Sequence, residues 1–113
     1  MSKSSIITSD KTASDLLPPV TPGELLKEEF LAPMGISQYR LAKETGIPAQ
    51  RIGQIILGRR RVTADTDLRL CRYFGLMDGY WLRAQMAVDL EAEKRRIEPE
   101  LDKIVPVQQA VAL

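Results

Sequence analysis

The sequence predicts an all-α protein, a five-helix bundle that carries a helix-turn-helix. Three observations lead there. Apolar residues recur at helical spacing in five segments, each opened by a capping residue or proline and closed by Gly or Pro. No stretch alternates as a strand would. The links between segments are short, as in a bundle of packed neighbours.

The first helix opens at Thr21-Pro22-Gly23-Glu24, the form of a capping box with proline at the first helical position. Leu25, Leu26 and Phe30 supply its buried face, Pro33 is expected to stop it, and Gly35 turns the chain. Ser37 caps the second helix, where Tyr39, Leu41 and Ala42 begin the apolar face and Thr45-Gly46 ends it. Ile47 is an apolar plug and Pro48 opens the third helix, which turns Ile52, Ile55 and Ile56 inward and closes at Gly58. Gly53 is unfavourable inside a helix by about 1 kcal/mol relative to Ala, so a close approach of another helix is expected there. Thr63 caps the fourth helix, with Leu68, Cys71 and Phe74 as its inner stripe, Leu70 beside them, and Gly75 as its stop. Asp78 is expected to cap a fifth, longer helix running to about Arg96, with Pro99 and Pro106 breaking up the segment beyond it. This gives a flexible arm over residues 1–20 with Leu16 and Leu17 able to dock, a helical domain over 21–97, and a tail over 98–113.

Length and composition bound the function. At 113 residues and 12.7 kDa, the chain holds one domain. It has no His and one Cys, Cys71, which removes His-based triads, His or Cys₄ metal sites and intrachain disulfides. No nucleophile–base pair, metal set or phosphate-cradling Gly loop is present, so an enzyme is not expected and no cofactor is implied. No apolar run approaches the ~20 residues of a membrane span. The N-terminus shows no signal core, and the expected location is the cytoplasm, away from any membrane.

The net charge of +1 conceals a pattern. Residues 37–61 carry six basic side chains, Arg40, Lys43, Arg51, Arg59, Arg60 and Arg61, against Glu44 alone. Such a stretch can track a phosphate backbone or can be an ordinary solvated face. Its surroundings favour the first. Two short helices are joined by a Gly turn, with small Ala42 at the crossing and Ile47 and Ile52 in the wedge. Ala49, Gln50, Arg51 and Gln54 are left on the outside of the third helix, where side chains meet base edges if its N-terminus enters a major groove. Gln pairs with adenine and Arg with guanine or phosphate. Gln38 can reach the backbone, and Arg59, Arg60 and Arg61 suit phosphates. A plain helical hairpin explains the Gly turn but not the whole combination.

These residues resemble the helix-turn-helix of lambdoid-phage repressors and Cro. More specifically, TPGELLKEEFLAPMGISQYRLAKETGIP, then ILGRRRVTADTDLRL, YFG and YWLRAQMAVDL, resemble the HigA antitoxins of HigBA toxin–antitoxin (plasmid-maintenance) systems. The likeness runs from Thr21 to about Leu90. It implies a lambda-repressor-like fold and an antitoxin that represses its own operon and binds a HigB-like toxin ribonuclease. It places Gln38, Ala49, Gln50, Arg51 and Gln54 at operator-reading positions and Arg59 at a phosphate position. Ala49 departs from the Gln common in the phage proteins, which leaves a thymine-methyl contact or none. The extensions at both ends are outside the likeness. A stand-alone regulator without a toxin shares all of this DNA chemistry.

The fifth helix is apolar on two sides. Trp81, Ala84 and Val88 share one, while Leu82, Met86, Leu90 and Ile97 lie nearly opposite. Two apolar sides need two partners. The second is expected to be the same helix of another subunit, giving a homodimer through Leu82, Met86 and Leu90 and a palindromic operator. The alternative is a C-terminal tail folded back over that stripe. Tyr80 and Trp81 read as core rather than a ligand platform, Cys71 as a buried apolar residue, and Asp65 and Asp67 as caps rather than an acid pair. Glu91, Glu93, Lys94, Arg95 and Arg96 read as a solvated helix end.

Overall fold

The computed structural model describes residues 20–107, and they form five helices with no strand among them. The expected arm, apart from Val20, and the last residues of the tail lie outside the described part. Helix α1 covers residues 22–34 as three continuous stretches: Pro22–Leu25, a wider π turn Leu26–Leu31, and Ala32–Met34. Beyond it lie α2 (Gln38–Thr45), α3 (Ala49–Ile56), α4 (Ala64–Phe74) and α5 (Tyr80–Leu101).

Local chemistry sets most helix starts. The Thr21 hydroxyl accepts from the Glu24 N–H at 3.1 Å, and the Glu24 carboxylate accepts from the Thr21 N–H at 3.1 Å, a complete capping box. Ser37 and Thr63 accept from the N–H groups of Arg40 and Thr66 in the same way. Pro33, expected to stop α1, is instead carried inside it. The preceding turn is widened, with the Ala32 N–H reaching the Lys27 carbonyl five residues back. A wider turn relieves the clash between a proline ring and the carbonyl four residues earlier. The helix ends at Gly35, whose φ of 65° a side chain would resist.

The core joins Leu26, Leu31, Leu41, Ile47, Ile52, Ile55, Val62, Leu70, Cys71 and Trp81. Phe30 lies 4.9 Å from Phe74 and 5.0 Å from Trp81, centroid to centroid, so aromatic rings tie α1, α4 and α5 together. Trp81 and Tyr80 are core as expected, and Cys71 is fully buried, its thiol pushed up by burial. Two expected core positions are wrong. Tyr39 is 72% exposed, because it lies two residues from buried Leu41 on a helix and so on its far side. Leu68 is 49% exposed, because the inner face of α4 is Asp67, Leu70, Cys71 and Phe74, which turns Leu68 outward.

Asp67 has a larger role than capping its own helix. It is buried, and its carboxylate accepts from the N–H groups of Gly79 (2.7 Å), Trp81 (2.8 Å) and Leu82 (3.1 Å). The expected cap of α5, Asp78, does not fill that place. The N-cap is Gly79 at φ 95°, and the acceptor arrives from α4. Helix α5 also outruns its expected end near Arg96, passing through Pro99 to Leu101. Beyond it Ile104, Val105 and Val107 are 67%, 83% and 85% exposed, so the described part of the tail covers no apolar stripe.

The close approach expected at Gly53 occurs at Gly23. A Cβ on Gly23 would lie 2.1 Å from the Ile55 carbonyl oxygen and 2.7 Å from the Ile56 Cα, so α1 rests backbone to backbone on the end of α3. At Gly53 the nearest atom to a Cβ is the Gln38 side-chain oxygen at 3.7 Å, ordinary contact. Gly23→Ala is therefore expected to destabilise by about 1–3 kcal/mol or more through forced separation of α1 and α3. Gly53→Ala should be neutral or stabilise by up to about 1 kcal/mol. Urea unfolding of both variants checks the contrast.

Candidate nucleic-acid interface

Helices α2 and α3 meet at the turn the sequence marks. Gly46 takes φ 80°, and Ile47 is buried beneath the turn with Leu41 and Ile52. Thr45 fixes the turn: its hydroxyl donates to the Leu41 carbonyl at 2.6 Å and accepts from the Ile47 N–H at 3.2 Å. Arg69 of α4 adds a bond to the Thr45 carbonyl at 3.0 Å. These contacts hold α3 against α2 and leave its other side open.

That open side carries the expected residues. Ala49 and Gln50 are exposed in the first turn of α3, and Arg51 and Gln54 are part-exposed. Gln38 belongs with them, since its side-chain oxygen lies beside Gly53 on the outer face of α3. Arg59 and Arg60 are exposed just past α3, and Arg60 donates to the Gln54 side-chain oxygen at 3.3 Å. Gly58, at φ 77°, turns the chain there so that the arginines follow the end of the helix.

The six basic residues of 37–61 divide into two groups. Arg40 pairs with Glu44 at 3.3 Å, and Tyr73 also donates to that carboxylate. The Tyr73 hydroxyl, then Arg40, holds Glu44 below the usual carboxylate range. Arg61 pairs with Asp89 of α5, whose carboxyl the guanidinium likewise holds low. Among the described residues, Lys43, Arg51, Arg59 and Arg60 form no ion pair. Arg61, grouped with the phosphate arginines in the sequence, is thus engaged by Asp89 while its side chain stays exposed, and Arg51, Arg59 and Arg60 are the unpaired cations on and just past α3.

Two side chains that sequence reasoning passes over organise this region. Gln85, 9% exposed, accepts from the Val62 N–H at 3.2 Å and donates to Asp89 at 3.0 Å. The link from α3 to α4 is thereby pinned to α5. A signal exists in the sequence: Gln85 stands four residues after Trp81, on the buried side of an amphipathic helix. Of the expected dimer stripe, Met86 and Leu90 are 58% and 63% exposed, whereas Leu82 packs against its own core. Among the described residues no cluster of acidic or Cys side chains could hold a metal ion, and no helix is long and apolar enough to cross a membrane.

The helix-turn-helix family HTH_3 matches residues 26–82. Antitoxin HigA-1 of Vibrio cholerae is 36% identical over 89 residues, covering 79% of this chain and 84% of that protein. The chain belongs to the HigA family of helix-turn-helix antitoxins. Virulence-associated protein I of Dichelobacter nodosus is 42% identical over 91 residues, covering 80% and 83% of the two chains. The structure of Pseudomonas aeruginosa antitoxin HigA with the higBA promoter superposes with a TM-score of 0.74 at 30% identity, covering 80% of this chain and 99% of that one. Within the HigA fold of this chain, the Val62–Gln85 bond joins the helix-turn-helix to α5. Gln85→Ala is expected to leave a buried N–H unpaired and destabilise by about 1–3 kcal/mol. Asp89→Asn, which breaks a largely exposed pair, should cost less than about 1 kcal/mol. Chemical denaturation of the two variants measures both.

Proposed function

We propose that this chain is a dimeric antitoxin that represses its own operon by sequence-specific DNA binding and also binds a toxin ribonuclease of the HigB kind. The observation that carries the DNA reading is the outer face of α3. Gln38, Gln50, Arg51 and Gln54 converge there on one rigidly backed surface, flanked by Arg59 and Arg60. Placed in a major groove, the two glutamines on α3 have the donor–acceptor pair that reads adenine, and Arg51 the fork that reads guanine. Ala49 offers only a methyl group. Arg59 and Arg60 follow the phosphates, and Gln38 braces the backbone beside the groove. In the free protein Gln54 is held by Arg60. On DNA the guanidinium turns to phosphate and releases the amide to a base.

A single helix-turn-helix contacts too few base pairs to select one site among many competitors, so a second copy is required. Met86 and Leu90 supply the exposed apolar surface for it, and the described tail leaves that surface open. Two recognition helices then stand about 34 Å apart, one turn of DNA. The toxin reading rests on family membership. Recovery of a small ribonuclease bound to the purified protein tests it, and a chain that purifies alone from its native operon would leave a stand-alone regulator.

Operator affinity is expected to fall with salt at a log–log slope of about −0.9 per phosphate neutralised. Arg59→Ala should weaken operator and random DNA alike, whereas Gln50→Ala and Gln54→Ala should each cost about 1–3 kcal/mol on the operator and little on random sequence. Equal losses on both DNAs would make the glutamines positioning residues only. Met86→Glu is expected to give a folded monomer with lost operator affinity, read by sedimentation and gel shift. A dimeric Met86→Glu protein would move the interface off this stripe.

A further inference from the structure

We propose, on the DNA-binding reading above, that Asp89 is a positioning residue: it holds Arg61 off the DNA backbone and so limits affinity for DNA of any sequence. Three arginines follow α3 in a row, and they border one small hollow of about 170 Å³ together with Gly58 and Gln85. They therefore share one corner of the domain, beside the end of the helix that faces DNA. Chain position alone would give all three the same part, a contact to phosphate. The fold does not treat them alike. Among the described residues Arg59 and Arg60 pair with no carboxylate, whereas Arg61 pairs with Asp89.

The surroundings of Asp89 favour that pair. One carboxylate oxygen meets the Arg61 guanidinium, and the other accepts from the Gln85 amide at 3.0 Å. Gln85 is buried, and its side-chain oxygen accepts from the N–H of Val62, the buried residue next to Arg61. The backbone that carries Arg61 and the carboxylate that Arg61 meets are thus fastened to the same glutamine. An ordinary surface pair gains little, because two mobile side chains must be held in one geometry. Here the acid is short and already fixed, and the arginine starts from a fixed backbone, so much of that cost falls away. The pair closes within one chain, since Asp89 comes one turn after Gln85 on the side of α5 that faces its own domain. A paired Arg61 has little charge left to displace counterions from phosphate, and the carboxylate beside it repels the DNA backbone. Arg61 keeps 67% of its side chain exposed, so once released it is free to reach a phosphate. Phosphate contacts add alike to operator and random DNA. Withholding one lowers background binding and leaves base reading by α3 intact.

Binding of the full chain to the DNA preceding its coding sequence and to random duplex is measured across a salt series. The proteins are wild type, Asp89→Asn, Arg61→Ala and the double variant. Asp89→Asn keeps the side chain's shape and removes its charge. It is expected to raise affinity for both DNAs by the same factor, roughly 5-fold per protomer near 0.15 M salt. The log–log salt slope should steepen by about 0.9 per protomer. The ratio between the two DNAs should stay that of wild type. In the Arg61→Ala background the gain should vanish. Several results would overturn the proposal. One is an Asp89→Asn protein with no gain. Another is a gain that persists without Arg61, which would be plain repulsion by the carboxylate. A salt slope made shallower by Arg61→Ala alone would put Arg61 on phosphate in the wild type. A changed sedimentation of Asp89→Asn would move its effect to the contact between subunits. Arg59→Ala reads the DNA interface separately. If it weakens binding while Asp89→Asn changes nothing, the restraint is wrong and the interface stands. If binding ignores both substitutions and salt, the interface is wrong as well.

Discussion

The buried carboxylate of Asp67 receives three backbone N–H groups at the start of α5, and the placement of that helix depends on it. A helix begins with unpaired N–H groups that cannot be buried alone. Here α5 has no side-chain cap of its own, so its first turn is satisfied only when it is set against α4. A second polar tie, from the Val62 N–H to Gln85, fixes the same helix one turn further on. Between the two ties sits Trp81, fully buried against Phe30 and Phe74. Two directional bonds around one large apolar anchor determine the direction of α5 far more narrowly than hydrophobic contact would. The consequence reaches function. The helix-turn-helix is tied to α4 through Arg69 and to α5 through Val62 and Gln85, so in a dimer formed through the exposed stripe of α5 the angle that Asp67 and Gln85 enforce would set how two recognition helices are spaced.

The sequence is legible where structure is decided locally. Thr21, Ser37 and Thr63 cap the helices they precede, and Gly35, Gly46, Gly58 and Gly75 close them, because each needs only its own few neighbours. The outer face of α3 can be read for the same reason: its periodicity separates Gln50 and Arg51 from Ile52 and Ile55. The features that escape are decided across the chain. Asp67 reads as a first-turn acid of α4, since nothing near it announces a helix start twelve residues on. Gly53 stands out as a glycine inside a helix, while the glycine that admits a backbone is Gly23, hidden within a capping motif that does not itself require one. Arg61 reads as one of three equivalent arginines, and only its distance from Asp89 in the folded chain separates it from Arg59 and Arg60. Pro99 stops the helix that the sequence predicts, yet an exposed helix end tolerates one lost bond.

Electrostatics is arranged on the same principle of division. The central stretch has an excess of positive charge, but the fold engages Arg40 and Arg61 in exposed pairs with Glu44 and Asp89 and leaves Arg51, Arg59 and Arg60 unpaired on and just past α3.

In the proposed dimer, two copies of α3 read one DNA site from adjacent major grooves. Hydroxyl-radical footprinting of the full chain on the DNA preceding its own coding sequence tests this most directly. Two protected segments related by a two-fold axis are expected, with centres about 10 base pairs apart on one face of the duplex. A single protected segment, or protection without symmetry, would contradict it.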